Sequence, residues 1–214
     1  MCEKFQTISA EKQRTILDAA LTEFSERGYH KANTNAICEK AGISKGLLFH
    51  YFGSKKSLYL YLLNDVMKEM SRRLIAYTRQ DKTDLFDLMT EVSIAKMRVG
   101  AEMPEGYRLV YEAFLVTPDE LTKDINRNYA NAYAEQRGQM LMLADGSKFK
   151  PSVSVERAID LLLACTEGMF KRYYDQYRRM TPEEALPHID GVRKELIENL
   201  LLLKSAFYKE EYLS

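Results

Sequence analysis

The chain is poor in cysteine: three among 214 residues, Cys2, Cys38 and Cys165, far apart and odd in number. Neither a disulfide framework nor a Cys/His zinc site has that spacing, so free thiols in a reducing compartment and no bound metal are expected. Histidine is as scarce, with His30, His50 and His188 distant from one another. A nucleophile elbow, a phosphate loop, an HExxH pair and a dinucleotide fingerprint are all lacking, which argues against an enzyme and against a resident cofactor. No apolar run approaches the roughly 18–20 residues that span a bilayer, and MCEKFQTISAEKQR has no signal-peptide core. A cytoplasmic protein with no membrane partner is the expectation. Proline does not occur before Pro104, and strand patterning, repeats and low-complexity tracts are nearly or wholly missing.

Net charge is missing too: 31 Lys and Arg offset 31 Asp and Glu, which argues against a strongly basic nucleic-acid coat protein. The zero conceals an asymmetry. Residues 1–56 hold nine basic and six acidic side chains, a net of +3 that the remainder offsets with −3. A modestly positive end suits a small DNA-binding segment joined to a larger part that does not touch DNA. What the sequence does have is apolar side chains, 46% of the total, enough for packed cores. They recur at helical spacing almost throughout, so the expected fold class is all-α.

The first helix is expected from Ser9, as N-cap, to Gly28, with Ile16, Leu17, Ala20, Leu21 and Phe24 on one face. A short second helix follows Asn33 or Thr34 and runs to about Ala41. Gly42 breaks it, Ser44 caps a third over KGLLFHYF, and Gly53-Ser54 leads into a fourth from Lys55 to about Gln80. Two short helices around a glycine turn, after a longer packing helix, are helix-turn-helix anatomy. Further helices are expected at about 82–99, 104–116, 118–143, 152–179 and 188–210, with Thr117-Pro118 starting the third of these and a short piece near 182–186.

In the third helix, Leu48 and Phe52 lie about 40° apart and form the inward pair. Gly46 and His50 then face outward, flanked by Leu47 and Phe49, with Lys45 in the first turn. A helical glycine costs about 1 kcal/mol relative to alanine, and exposed Leu47 and Phe49 contribute little in water. Against DNA these residues make sense. Gly46 permits close backbone approach, Leu47 can touch a thymine methyl, and Lys45, His50 and Tyr51 can reach phosphates. The other reading makes Phe49 and Tyr51 core aromatics and Gly46 a packing contact; for each aromatic singly the two stand level.

The stretch TNAICEKAGISKGLLFHYFGSKKSLY, preceded by ILDAALTEFSERGYHKA, resembles the DNA-binding domain of the TetR (tetracycline-repressor-like) family over residues 10–65. The resemblance implies a homodimer whose two third helices enter successive major grooves of a pseudo-palindromic operator, usually as a repressor released by a small effector. It implies that Thr34 binds a phosphate and that Ser44, Lys45, Gly46 and Leu47 lie in or beside the groove. Phe49, His50 and Tyr51 fall at backbone contacts, and Lys55 at a phosphate. Phe49 stands where tyrosine is common, which removes a hydroxyl contact, and Cys38 stands where a small apolar residue is usual. The domains implied are 1–56 for DNA binding and 57–214 for ligand sensing and dimerisation.

In the C-terminal part, Leu196, Leu200, Leu203 and Phe207 form one stripe, with Ile189 before it, and four successive leucines cover more than one helix face. Either two partners cover that helix or one subunit buries it whole. The resemblance favours a four-helix dimer seam made from the last two long helices, with Gly168 allowing close approach. Tyr107, Tyr111, Phe114, Tyr129, Tyr133, Met140, Met169, Phe170 and Tyr173 are either ordinary core or the lining of a pocket for an unidentified apolar or aromatic effector. The fourth helix would carry the effector's signal to the DNA-binding heads.

Overall fold

The computed structural model describes residues 3–78, 84–115, 117–177, 180 and 182–213. Among them are ten α-helices: α1 (Glu3–Gln6), α2 (Ala10–Lys31), α3 (Thr34–Ala41), α4 (Lys45–Phe52), α5 (Lys55–Tyr77), α6 (Leu85–Glu102), α7 (Pro104–Leu115), α8 (Thr122–Leu143), α9 (Val155–Tyr177) and α10 (Pro182–Phe207). The fold is all-α, an N-terminal helix-turn-helix followed by further helices. The only extended pairing among the described residues is an isolated bridge between Phe149 and Tyr208.

Two compact units emerge: Met1–Arg72 with Met103–Arg127, and Arg73–Glu102 with Asn128–Ser214. Compactness does not follow the functional division expected at residue 56, because α7 and the turn after it share the core of α2 to α5. In the first unit Ile16, Ala20 and Phe24 of α2 meet Ile37 of α3, Leu48 and Phe52 of α4, Leu58 and Leu62 of α5, and Leu109 of α7. At Gly106 an added Cβ would lie 3.0 Å from Val66 Cγ1, so α7 passes close to the side chains of α5. Phe5, on the short α1 that the sequence pattern did not reveal, is fully buried against Phe52 at 4.6 Å and Tyr61 at 5.4 Å between ring centroids.

The second unit has its own core, built on Phe86 and Met89 of α6, Ile159 and Leu162 of α9, and Leu196 and Leu200 of α10. Its last turn is clasped to the segment before α9. The amide of Lys150 donates to the Phe207 carbonyl at 2.9 Å, the amide of Lys209 to the Lys148 carbonyl at 3.0 Å, and the Phe149 and Tyr208 rings meet at 4.9 Å. Asp84 caps α6, accepting from the amides of Phe86 at 3.0 Å and Asp87 at 3.2 Å. It also meets Lys148 Nζ at 3.1 Å and Lys204 Nζ at 3.9 Å.

Several boundaries differ from the sequence expectation, each for a local reason. Gly100 does not end α6, which runs on to Glu102, where Met103-Pro104 breaks it. Thr117 is no N-cap: its hydroxyl donates back to the Ala113 carbonyl at 2.6 Å, and α8 begins only at Thr122 after a hydrogen-bonded turn on Pro118. Pro187 does not separate two pieces. It lies within the first two turns of α10, where its missing amide removes one hydrogen bond near the helix start. The expected ends of the fourth helix and of the 152–179 helix, near residues 80 and 179, lie outside the described residues.

Candidate nucleic-acid interface

The helix-turn-helix is set by five local breaks and caps. Gly28, at φ 68°, interrupts α2, and the Ala32 amide closes back on its carbonyl at 3.1 Å. Asn33 Oδ1 caps α3 by accepting from the Asn35 amide at 2.9 Å, while the Asn33 amide donates to Glu23 Oε1 of α2 at 2.8 Å. Gly42 is left-handed (φ 65°, ψ 33°), and the Ile43 amide reaches the Cys38 carbonyl at 3.0 Å, the paired closure that left-handed helix ends favour. Ser44 Oγ then accepts from the Leu47 amide at 3.2 Å and starts α4, which Gly53 ends with a 2.8 Å bond to the Phe49 carbonyl. Three residues, Gly42 to Ser44, thus separate α3 from α4.

Leu48 and Phe52 point into the core, as the helical spacing predicts. Ser44, Lys45, Gly46 and His50 are exposed, and Leu47 is a large apolar side chain left 37% exposed. A Cβ added at Gly46 would meet only Ser44 Oγ, at 4.0 Å, so packing within the chain gives no reason for a glycine there. Phe49 is partly exposed, whereas Tyr51 packs edge-on against Phe5 at 5.7 Å and so has a structural role. Thr34, partly buried, opens α3. Lys45 has no carboxylate at ion-pairing distance among the described residues.

The two lysines after the turn are engaged internally. Lys55 Nζ donates to the His30 carbonyl at 3.0 Å and lies 5.1 Å from the Tyr29 ring centroid, tying α5 to the end of α2. Burial pushes its pKa down, although Glu120 and Glu23 pull it upward. Lys56 Nζ bonds the Glu120 carbonyl at 2.7 Å and Asp124 at 2.8 Å. Tyr29, buried and hydrogen-bonded to Glu120, has its pKa pushed up to about 12. The turn before α8 is therefore fastened to the helix-turn-helix at two points.

The expected pocket residues divide between the units. Tyr107 and Tyr111 stack at 5.2 Å in the first unit, where Phe114 packs on the core. Tyr129, Tyr133, Met140, Met169, Phe170 and Tyr173 belong to the second. There Met140 and Met169 are core side chains, and the Tyr173 hydroxyl donates to Glu195 Oε2 of α10 at 2.6 Å. The expected seam residues of α10 also face inward. Leu196 and Leu200 are 2% exposed, and Leu203 and Phe207 pack on the same core. The large apolar side chains left outward on α9 and α10 are Leu161, Leu201 and Leu202, beside exposed Ala164 and Gly168. Among the described residues no three His, Cys, Asp or Glu side chains gather as a metal would need, and no helix is long and apolar enough to cross a membrane.

A glycine-turned pair of short helices, the second presenting Lys45, Gly46, Leu47 and His50 to solvent, has the geometry of a DNA-binding helix-turn-helix. The family model for bacterial regulatory proteins of the tetR family matches residues 16–62, which span α2 to the middle of α5. The transcriptional regulator RutR of Escherichia coli (strain K12) is 33% identical over 127 residues, 58% of this chain and 58% of its own length. The chain thus spans little more than half of that relative. A TetR-family regulator from Chloroflexus aurantiacus shares the fold at a TM-score of 0.70 and 20% identity, with 97% of this chain and 98% of the other covered. The regulator FadR from Bacillus subtilis, solved with stearoyl-CoA, superposes at a TM-score of 0.65 and 16% identity over 86% of this chain and 97% of its own. Residues 16–62 thus form a DNA-binding segment of the tetR type.

Proposed function

We propose that this protein is a cytoplasmic transcriptional repressor that binds a pseudo-palindromic operator as a homodimer and leaves it when a small effector binds. Residues 1–56 form the reading head, and 57–214 sense the ligand and dimerise. The observation that carries the reading is the solvent face of α4, where a glycine without a packing partner stands beside an exposed leucine and an unpaired lysine. In this reading Gly46 and Leu47 lie in the major groove, Ser44, Lys45 and Thr34 beside it against the phosphates, and Phe49, His50 and Tyr51 along the backbone. Lys55 reaches a phosphate only by giving up the His30 carbonyl, so its first task is to hold the head together.

The dimer seam in this proposal uses the outward faces of α9 and α10. Leu161, Ala164 and Gly168 share one helical face, and Leu201 and Leu202 supply the apolar surface of the other helix. Repression is the simpler mode, since a dimer clamped on an operator excludes polymerase without further contacts. The effector is apolar or aromatic in its body. Stearoyl-CoA on the FadR relative is an instance of such a ligand in this fold, and the tyrosines and Phe170 supply matching surfaces here.

Selection of bound duplexes from a random pool, repeated across salt concentrations, tests the reading. An enriched inverted repeat whose affinity falls as salt rises is the expected result. A folded dimer that enriches no sequence, after any co-purified ligand has been removed by refolding, would overturn it.

A further inference from the structure

Lys96, on α6, has a charge that the fold does not account for. The residue is half-buried in the second unit, and desolvation lowers its pKa even though the charge of Glu167 works the other way. Among the described residues no carboxylate comes within ion-pairing distance of Nζ. What Nζ faces is the Phe170 ring, 5.9 Å from its centroid. The nearest acid, Glu167, stands one turn before Phe170 on α9 and is turned to another partner: its Oε1 accepts from the Tyr129 hydroxyl of α8. Tyr129 in turn stacks on Tyr133 at 6.4 Å.

Other lysines of this unit behave differently. Lys148 and Lys204 both meet Asp84, and Lys194 meets Glu198 at 3.9 Å on an exposed face. A partly desolvated ammonium without a counter-charge is unfavourable, and a methionine would fill the same space without that cost. A ring face offsets part of the cost but does not neutralise the charge.

We propose that Lys96 is the anchor of an organic-acid site in the second unit: a ligand carboxylate supplies the counter-charge at Nζ while its apolar body lies along Phe170. One ammonium with Glu167 nearby answers a single negative charge and suits a dianionic phosphate poorly. Glu167, held by Tyr129, borders the site and weakens the attraction without occupying it. The inference rests on the ligand-sensing reading above and adds the effector's charge to it.

The test uses matched pairs of compounds, 2-naphthoate with 2-naphthamide and decanoate with decanamide, titrated calorimetrically into the full-length protein while operator affinity is followed in parallel. At least one carboxylate should bind about tenfold or more tightly than its amide, the scale of a charge-assisted hydrogen bond. In Lys96→Met that preference should disappear while the protein stays folded, melting at or above the temperature of the unsubstituted chain. Glu167→Gln should tighten the carboxylate severalfold and leave the amide unchanged, so a decision remains even if Lys96→Met does not fold. The proposal is overturned if neither carboxylate outbinds its amide, or if the preference survives in Lys96→Met. Amides that bind equally and release the operator would remove the charged anchor but keep the sensor. Carboxylates that bind through Lys96 and leave operator affinity unchanged would keep the site and count against sensing.

Discussion

Gly46 is the residue whose chemistry inside the chain and against DNA diverge most. A methyl group added there meets only Ser44 Oγ, at 4.0 Å, and alanine is the better helix former by about 1 kcal/mol. Gly46→Ala should therefore raise the melting temperature by about 2–4 °C while weakening operator binding about tenfold, as a Cβ holds the helix away from the groove. Calorimetric melting and operator titration of the same preparation check both halves; unchanged operator affinity would remove Gly46 from the interface. Lys45→Ala should lower affinity for all duplexes alike and reduce the slope of log affinity against log salt by about 1. The sequence alone made this face legible, because Ser44, Gly46 and His50 sit at fixed angles from Leu48 and Phe52. It could not show that Tyr51 also packs within the chain. That needed Phe5, which approaches from a helix forty residues earlier.

Elements were legible where capping chemistry marks them. Asn33, Gly42, Ser44 and Gly53 bound α3 and α4 where their side chains and left-handed backbone predict. The short α1 was not, because four residues carry no periodicity, and only tertiary packing shows that Phe5 underpins α4. Phe5→Ala should cost about 3 kcal/mol in denaturant unfolding and lower operator affinity with it, since α4 loses its backing. A loss under about 1 kcal/mol would show that α1 is dispensable. Thr117 and Pro187 misled the sequence reading for a common reason. Each residue type has two local uses, and here Thr117 closes back on the Ala113 carbonyl while Pro187 sits early inside a helix.

On the scale of the whole molecule, the second unit is closed by Asp84. Burial pushes its carboxyl pKa up, but the Lys148 hydrogen bond, the Asp87 amide and the charges of Lys204 and Lys148 outweigh it, and the net shift is downward. A carboxylate depressed on folding stabilises the native state above its unfolded pKa of about 3.9, and that contribution is lost as pH falls further. Asp84→Ala should cost about 2–4 kcal/mol at pH 7, with the difference from the unsubstituted protein shrinking below about pH 4. Urea unfolding at both pH values measures it, and a constant difference would mean the charge is not what matters. Charging the outward leucines, as Leu161→Glu with Leu202→Glu, should turn a dimer into a monomer by sedimentation while Leu200, in the core, stays packed. A dimer that persists would place the seam elsewhere.

By itself the sequence determined the all-α class, the helix-turn-helix and the face of α4 turned to solvent. Those depend on spacing, caps and turns, which act over a few residues and leave their record in the order of side chains. The tertiary structure alone decided which of the clustered leucines of α10 face inward, where Lys55 and Lys56 are engaged, and that half-buried Lys96 has no carboxylate at ion-pairing distance among the described residues. A helix apolar on two sides does not say which side its own core takes, and a lysine's partner is set by what folding brings to it from elsewhere in the chain.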